Sequence, residues 1–531
     1  MQQNLGHSLI TCLALLLAGP AALAQIHTAH VAGGEVAGTA VDGVAVFKGI
    51  PFAAPPTGAL RWKAPQPVPA WTGARKADAF GPSCMQSAQM IALMGAGPEV
   101  SEDCLYLNVW TAAKSAAERR PVMVWIYGGG FAAGMTGIPA YDGQQFAKQG
   151  VVLVSVAYRV GPFGFLADPA LTREAGGTSG NYGIEDMIAG LRWVKRNIAK
   201  FGGDPARVTI FGESAGGFAT SMLAGSPAAA GLFQRVISES GGVFTPPRRG
   251  TEAGGLLPTL KDAEASGHQF LAKVGATDLA SARALSSDKI QAALAANALA
   301  GGGGFWPNVD GRILPGDQYL RYSAGQFNDT PVLVGTNSDE GALFAPPAMT
   351  SAAFEKSVRD GYGKGADLIL KAYPHSNDAE AARAGKHLFR EATFAWSTWA
   401  WASLQTRHGR NKAYIYYFDH RTPQSPEGSN HGSEIAFVFH TLDAPGLGGV
   451  VMKPSPAEWK LSEQMQRYWV NFATTGDPNG ADLPTWPAFD LKTQQAMVLT
   501  DSPGAQPLPN QEQLHAMDEY FRWRRAARNS P

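Results

Sequence analysis

From Pro121 onward, apolar and polar positions alternate between two periods. PVMVWIY (121–127), VVLVSVAY (151–158) and VTIF (208–211) are unbroken apolar, β-branched runs, the pattern of strands buried on both faces of a mostly parallel sheet. Between them, Ile184, Met187, Ile188, Leu191, Val194 and Ile198 recur at helical spacing, so residues 181–200 are predicted to form a helix with one buried face. FGGDP (201–205) should end it, because Gly202 or Gly203 can take the left-handed position after a helix and Pro205 cannot continue one. AGGFATSMLAG (215–225) reads as a further helix directly behind VTIF. Alternation of this kind implies a doubly wound α/β sheet.

The later chain is less regular. TPVLVGTNSDEG (330–341) and AYIYYFDH (413–420) read as strands running into loops, and LSEQMQRYWVNFATTG (461–476) as an amphipathic helix closed by Gly476. Residues 259–300 form an Ala-rich helical region followed by a flexible GGGG joint at 301–304. These Gly/Ala-rich joints read as loops within one large domain.

The formal charge is balanced, with 44 Lys+Arg against 44 Asp+Glu. A nucleic-acid surface needs a local excess of Lys and Arg, so a small neutral substrate fits better. The N-terminus has an apolar run from Leu9 to Ala18 and small residues at Ala22 and Ala24, the layout of a signal peptide spanning residues 1–24. Residues 25–531 would then be the mature, exported domain, periplasmic or extracellular. No other stretch reaches the ~20 apolar residues that span a bilayer. Removing the signal removes Cys12 and leaves Cys84 and Cys104, an expected disulfide in an oxidising compartment. No metal-ligand spacing or cofactor motif is found.

Ser214 lies in GESAG (212–216) at the predicted strand-to-helix turn. A sharp turn there lifts a serine Oγ above the sheet's carboxyl edge. The rival reading, a phosphate loop, lacks the G-x-x-x-x-G-K-[ST] spacing. A serine hydroxyl needs a base, and the base an acid that holds its tautomer, in the chain order nucleophile, acid, base. His375, His387, His408, His420, His431, His440 and His515 follow Ser214. Of these, His431 sits on the polar loop SPEGSNHGSE after the AYIYYFDH strand, where carboxyl-edge loops present catalytic groups. TPVLVGTNSDEG delivers two acids to the same edge, Asp339 and Glu340, and their chemistry does not choose between them. WIYGGGF (125–131) supplies glycines after a buried strand as oxyanion donors, together with the N–H of Ala215.

With these residues assembled, the chain resembles the type-B carboxylesterases, the cholinesterase-like branch of the α/β-hydrolase fold. The resemblance runs in order through FKGIPFAAPPTGALRW, SEDCLYLNVW, VMVWIYGGGFAAG, VSVAYRVGPFGFL, GNYGIEDMIAGLRWVKRNIAKFGGDP, FGESAGG, GTNSDEG, HGSEIAFVF and YWVNFATTGDPNG. It implies a central, mostly parallel sheet flanked by helices, with large helical insertions forming a gorge and pocket. It further implies the nucleophile at Ser214, the acid at Glu340, the base at His431, and the oxyanion hole at Gly129, Gly130 and Ala215. Ser240 and Glu434 would support the triad from behind, and the disulfide would join Cys84 to Cys104. The expected activity is hydrolysis of a small-molecule carboxylic ester through an acyl-enzyme, without cofactor. Alternatives on the same site are a lactone, a carbamate, or a natural-product or toxin polyacid ester; a non-catalytic adhesion module is a remoter one.

The resemblance weakens at VFTPPRRG (243–250), where the family's acyl-pocket segment is usually apolar. Phe244 is a pocket candidate there, and Arg248 or Arg249 could pair with a carboxylate on the acyl group, or both could be solvated loop charges. In FAWSTWAW (394–401), Phe394, Trp396 and Trp399 are either core or pocket wall.

Overall fold

The computed structural model describes residues 26–93, 99–248, 253–294, 304–445, 451 and 453–527. The proposed signal segment and Arg249 therefore lie outside the described residues. Its centre is an 11-stranded sheet. In chain order the strands are β1 (Thr39–Val41), β2 (Val44–Pro51), β3 (Tyr106–Thr111), β4 (Arg120–Ile126), β5 (Val152–Val156), β6 (Gly203–Glu213), β7 (Arg235–Glu239), β8 (Val332–Asn337), β9 (Ala413–Phe418), β10 (Gln495–Leu499) and β11 (Gly504–Pro507). Their spatial order is β11-β10-β9-β8-β7-β6-β4-β5-β3-β2-β1. Strands β4 to β10 run parallel, and antiparallel pairs close both margins.

The unbroken apolar runs became the central strands for the expected reason: every residue of β5, β8 and β9 is buried. Each large apolar side chain so buried is worth ~1.5–3 kcal/mol. Helices α1 (Tyr182–Asn197), α2 (Ala215–Gly225), α3 (Asp378–Arg390), α4 (Trp396–His408), α5 (Pro456–Thr475) and α6 (Gln511–Ala526) pack around them. Helix α1 buries the predicted stripe of Ile184, Met187, Ile188, Leu191 and Val194. A short 3₁₀ turn follows it, and Gly202 then takes the left-handed position at φ 77°.

Two expectations shift. Helix α5 starts five residues before the predicted 461, because Ser455 and Glu458 form a capping box ahead of it. Up to residue 294 the Ala-rich region is broken into Leu260–Lys273, Leu279–Ala284 and Ser287–Ala292, and residues 295–303 lie outside the described residues. Asp278 and Ser286 act as fresh N-caps there and restart the chain each time.

Parallel strands end at one edge, and this places the chemistry. The registers Gly212↔Ile126 and Glu213↔Glu239 align the ends of β4, β6 and β7. The GGG turn, Ser214, Ser240, Glu340 and the loop to His431 all leave the sheet from that carboxyl edge. Cys84 and Cys104 are joined in a disulfide. No described helix is long and apolar enough to cross a membrane.

Candidate active site

Ser214 joins β6 to α2 at φ 55° and ψ −120°, a conformation that costs a non-glycine residue on the order of 1–3 kcal/mol. It is pinned on both sides. Its N–H donates to Glu239 O at 2.9 Å, and its carbonyl accepts from Phe218 N–H at 2.8 Å. The close approach of α2 to β4 explains Gly216: a Cβ there would lie 1.9 Å from Ile126 O. Ser214 is partly exposed, and its Oγ has no hydrogen-bond partner among the described residues.

The acid loop separates the two adjacent carboxylates. Glu340 is fully buried and its Oε2 accepts from His431 Nδ1 at 2.5 Å. Its Oε1 takes the Asn337 N–H at 2.8 Å and the Ser240 hydroxyl at 2.5 Å. Asp339 turns away, its nearest cation being Lys386 at 3.9 Å, and burial pushes its carboxyl up.

Behind this pair, Glu434 is fully buried, 3.4 Å from Ser240 Oγ, and accepts from Asn337 Nδ2 at 2.5 Å. The same Nδ2 reaches Asn430 O at 2.8 Å. Asn337 therefore ties the end of β8 to the residue before His431, a link the sequence reading missed. The signal was present: a polar residue at the end of an otherwise apolar buried run.

Sequence reasoning also missed Glu213. Its Oε1 lies 3.2 Å from His431 Nε2, although it is not aligned as a hydrogen-bond acceptor. Burial raises the Glu213 carboxyl to about 8, with Glu434 and Glu340 adding to the rise and His431 opposing it. Burial by itself would lower His431, but Glu213 and then Glu340 outweigh it and raise the imidazole to about 9. Burial, reinforced by Glu340, lifts Glu434 to about 7.

Among the described residues, the N–H groups of Gly129, Gly130 and Ala215 meet no acceptor. Gly129 and Gly130 adopt φ 113° and 62°, and the Gly129 carbonyl takes two N–H groups, from Ala132 and Ala133, at 3.1 Å each. The turn thus spends its carbonyl internally and leaves its donors free beside Ser214.

An aromatic series runs round the site. Phe394 stacks on the His431 ring at 4.7 Å and on Phe218 at 5.7 Å. Phe218 meets Trp306 at 6.0 Å, and Trp306 meets Phe131, next to Gly130, at 5.3 Å. Phe344 meets the His431 ring edge-on at 5.3 Å. Beyond it, Leu343 and Phe344 are 58% and 44% exposed. Of the FAWSTWAW candidates, Phe394 reaches the site, while Trp396 and Trp399 belong to the core.

Two of the pocket candidates have surroundings of a different kind. Phe244 is fully buried against Tyr322 and Trp401 and presents no surface to a substrate. Arg248 is half-buried, its N–H donates to Leu257 O at 2.7 Å, and no acidic partner for it is found among the described residues. No group of three or more His, Cys, Asp or Glu among the described residues is placed to hold a metal ion.

Comparison with known proteins agrees across nearly the whole length. Residues 21–517 match the sequence profile of the Carboxylesterase family. A fumonisin B1 esterase of Sphingopyxis macrogoltabida is 36% identical over 478 residues, covering 87% of this chain and 84% of that protein. A para-nitrobenzyl esterase of Bacillus subtilis (strain 168) is 36% identical over 476 residues, covering 88% of this chain and 93% of that one. Among solved structures, a PNB esterase superposes with a TM-score of 0.81 at 32% identity, over 93% of this chain and 99% of the other. A carboxylesterase of Geobacillus stearothermophilus gives 0.78 at 32% identity, over 92% and 99%.

Proposed function

This chain belongs to the carboxylesterase family and is a carboxylic ester hydrolase of the α/β-hydrolase fold, and from that premise we propose that it works through an acyl-enzyme formed on Ser214. The observation that carries this reading is the 2.5 Å bond between buried Glu340 and His431 Nδ1, at the same sheet edge as the strained Ser214 and the free N–H groups of Gly129, Gly130 and Ala215.

In this mechanism Glu340 keeps the His431 proton on Nδ1, leaving Nε2 as the base. Nε2 takes the Ser214 proton as Oγ attacks the ester carbonyl carbon. The oxyanion forms against Gly129, Gly130 and Ala215, each such donor being worth ~2.7–4 kcal/mol of barrier. The tetrahedral intermediate collapses, the carbon–oxygen bond to the alcohol breaks, and the proton on Nε2 leaves with the alcohol. Water, deprotonated by Nε2, then attacks the acyl carbon, and the acid departs with Ser214 restored. The imidazolium that forms twice in this cycle has Glu340 on one edge and Glu213 near the other, both within a buried site where charge pairing is strong.

The aromatic series from Phe394 to Phe131 favours esters with an apolar or aromatic group beside the scissile bond. Among the described residues no acidic or other charged partner of Arg248 points to a carboxylate-reading pocket. We further propose that residues 1–24 direct export and that 25–531 act as one domain, a reading with which the Cys84–Cys104 disulfide is compatible.

The deciding experiment is hydrolysis of p-nitrophenyl acetate and butyrate by wild type and Ser214→Ala. Turnover should vanish in the variant, and undiminished turnover would refute the mechanism.

A further inference from the structure

Helices α3 and α4 do not join smoothly. Between them Glu391–Ala395 forms a π-helical turn, a rare irregularity that is found mostly where a displaced side chain has work to do. Here the turn carries Phe394, the ring stacked on His431 at 4.7 Å and 24°.

The turn begins at a buried charge pair. Arg390 is 5% exposed and Glu391 fully buried, and Arg390 Nε donates to Glu391 Oε1 at 2.7 Å. Successive residues on a regular helix do not face each other, so this pairing belongs with the distorted turn. Glu391 is held further by Asn510 Nδ2 at 2.7 Å and by the Tyr373 hydroxyl at 3.4 Å. Burying two charges costs several kcal/mol per ion before their attraction is counted, so such a pair is weak evidence for stability. Its geometry suggests another use.

Arg390 Nη1 donates to the carbonyl of Ser338 and to the Tyr417 hydroxyl at 3.1 Å. Ser338 is the first residue past β8 and lies two before Glu340. Its Oγ accepts the N–H of Ser429 at 2.8 Å, two residues before His431. One guanidinium therefore grips Ser338, which leads into Glu340 and is bonded through its Oγ to the separate loop that carries His431, while its own backbone opens the turn that presents Phe394. A planar fork of five donors can satisfy these directions together, and an ammonium cannot.

We propose that Arg390 is a positioning residue for ester hydrolysis: through the Ser338 carbonyl and the π-helical turn it sets the His431–Glu340 pair against the Phe394 ring, and so governs how readily Ser214 is activated. It touches neither substrate nor Ser214. The proposal rests on the acyl-enzyme reading above and deepens it.

The test uses the full chain and the variants Arg390→Lys, Arg390→Gln and Phe394→Leu. Four quantities are measured: the acylation burst with p-nitrophenyl butyrate, the rate of inactivation by a fluorophosphonate, KM, and Tm. Arg390→Lys should lose about 10- to 100-fold in acylation and in inactivation rate with KM little changed, the size expected for a small misplacement. Arg390→Gln, which can still offer one N–H to Ser338, should fall in the same direction and stands in if the lysine variant does not fold. Phe394→Leu leaves the charge pair intact and should show the same kind of loss. A double variant with Arg390→Lys should be no worse than the weaker single, because both act through one placement. An Arg390→Lys or Arg390→Gln protein with a lower Tm but wild-type acylation and inactivation would overturn the proposal, as would losses that multiply in the double variant. A wild type unreactive toward the fluorophosphonate would overturn the acyl-enzyme reading and this one with it; a reactive wild type with unimpaired Arg390 variants overturns this one alone.

Discussion

His431 Nε2 lies 3.2 Å from Glu213 Oε1, on the edge of the ring opposite its 2.5 Å bond to Glu340. The atom that receives the serine proton in the proposed mechanism thus faces a second buried carboxylate, contributed by the residue before Ser214. The imidazolium is favoured from both edges, and the pH dependence of the enzyme follows from that.

Glu213→Gln should move the acidic limb of the kcat/KM profile to lower pH. The proposed mechanism needs Nε2 unprotonated, so activity should be lost as pH falls through the His431 pKa, raised to about 9 with Glu213 the largest of the raising influences. Removing that charge lowers the pKa and widens the active range downward. The measurement is a pH–rate profile of both proteins, and an unmoved limb would separate Glu213 from the chemistry.

The same pair makes stability pH-dependent, with a definite sign. A raised His431 pKa contributes stability that is whole below the ordinary imidazole value of ~6.5 and is lost as pH rises through about 9. The raised Glu213 carboxyl acts in the same direction, its contribution draining away as pH climbs from the ordinary glutamate range through about 8. Thermal unfolding between about pH 6 and 9 should therefore show Tm falling more steeply in wild type than in Glu213→Gln. Equal slopes would contradict it.

Glu340→Gln keeps the shape of the acid but loses its charge and its preference for the Nδ1 tautomer. A fall of about 10⁴-fold in kcat is expected, as for the equivalent change in the serine-protease triad, with the fold and KM little altered. Asp339→Asn, one residue away but turned from the histidine, should keep kcat within a few-fold. Steady-state kinetics on both variants distinguishes the two carboxylates.

Asn337→Ala removes the side chain that holds Glu434 and the Asn430 carbonyl. Leaving the buried Glu434 Oε2 unpaired should cost about 1–3 kcal/mol, while the Asn430 carbonyl keeps the Ser433 N–H at 3.1 Å; kcat should fall through a looser His431 loop. Urea unfolding and kcat report the two effects separately; an unchanged midpoint would mean that water takes over both bonds.

Replacing Cys84 and Cys104 together by serine should cost roughly 3 kcal/mol in the chain-entropy account of a loop this long, the cysteines being 20 apart in sequence. Activity per folded molecule should persist. Tm and denaturant midpoints test the first statement, and active-site titration the second.

Much of this protein is legible in its sequence. The strands PVMVWIY, VVLVSVAY and VTIF announce themselves because a parallel strand buried on both faces tolerates no polar interruption. Ser214 stands out because a glycine-flanked serine at a strand-to-helix junction has few other uses. Helix starts were harder: the Ser455–Glu458 box and the Asp278 and Ser286 caps lie in polar sequence that resembles loop until the helix behind it is known.

What the sequence by itself determined is the order of the candidate groups along the chain: glycine turn, serine, acid loop and histidine loop, each after an apolar run that had to become a strand. Without the family resemblance the residues themselves leave Asp339 and Glu340 open, and in the structure Glu340 meets the histidine; adjacent side chains leave a turn in directions that only the packing around it settles. The same holds for Glu213, Asn337, Arg390 and Phe394, and for the burial of Phe244 away from any substrate. Their roles depend on distances between segments far apart in sequence, and no local pattern of residues encodes such a distance.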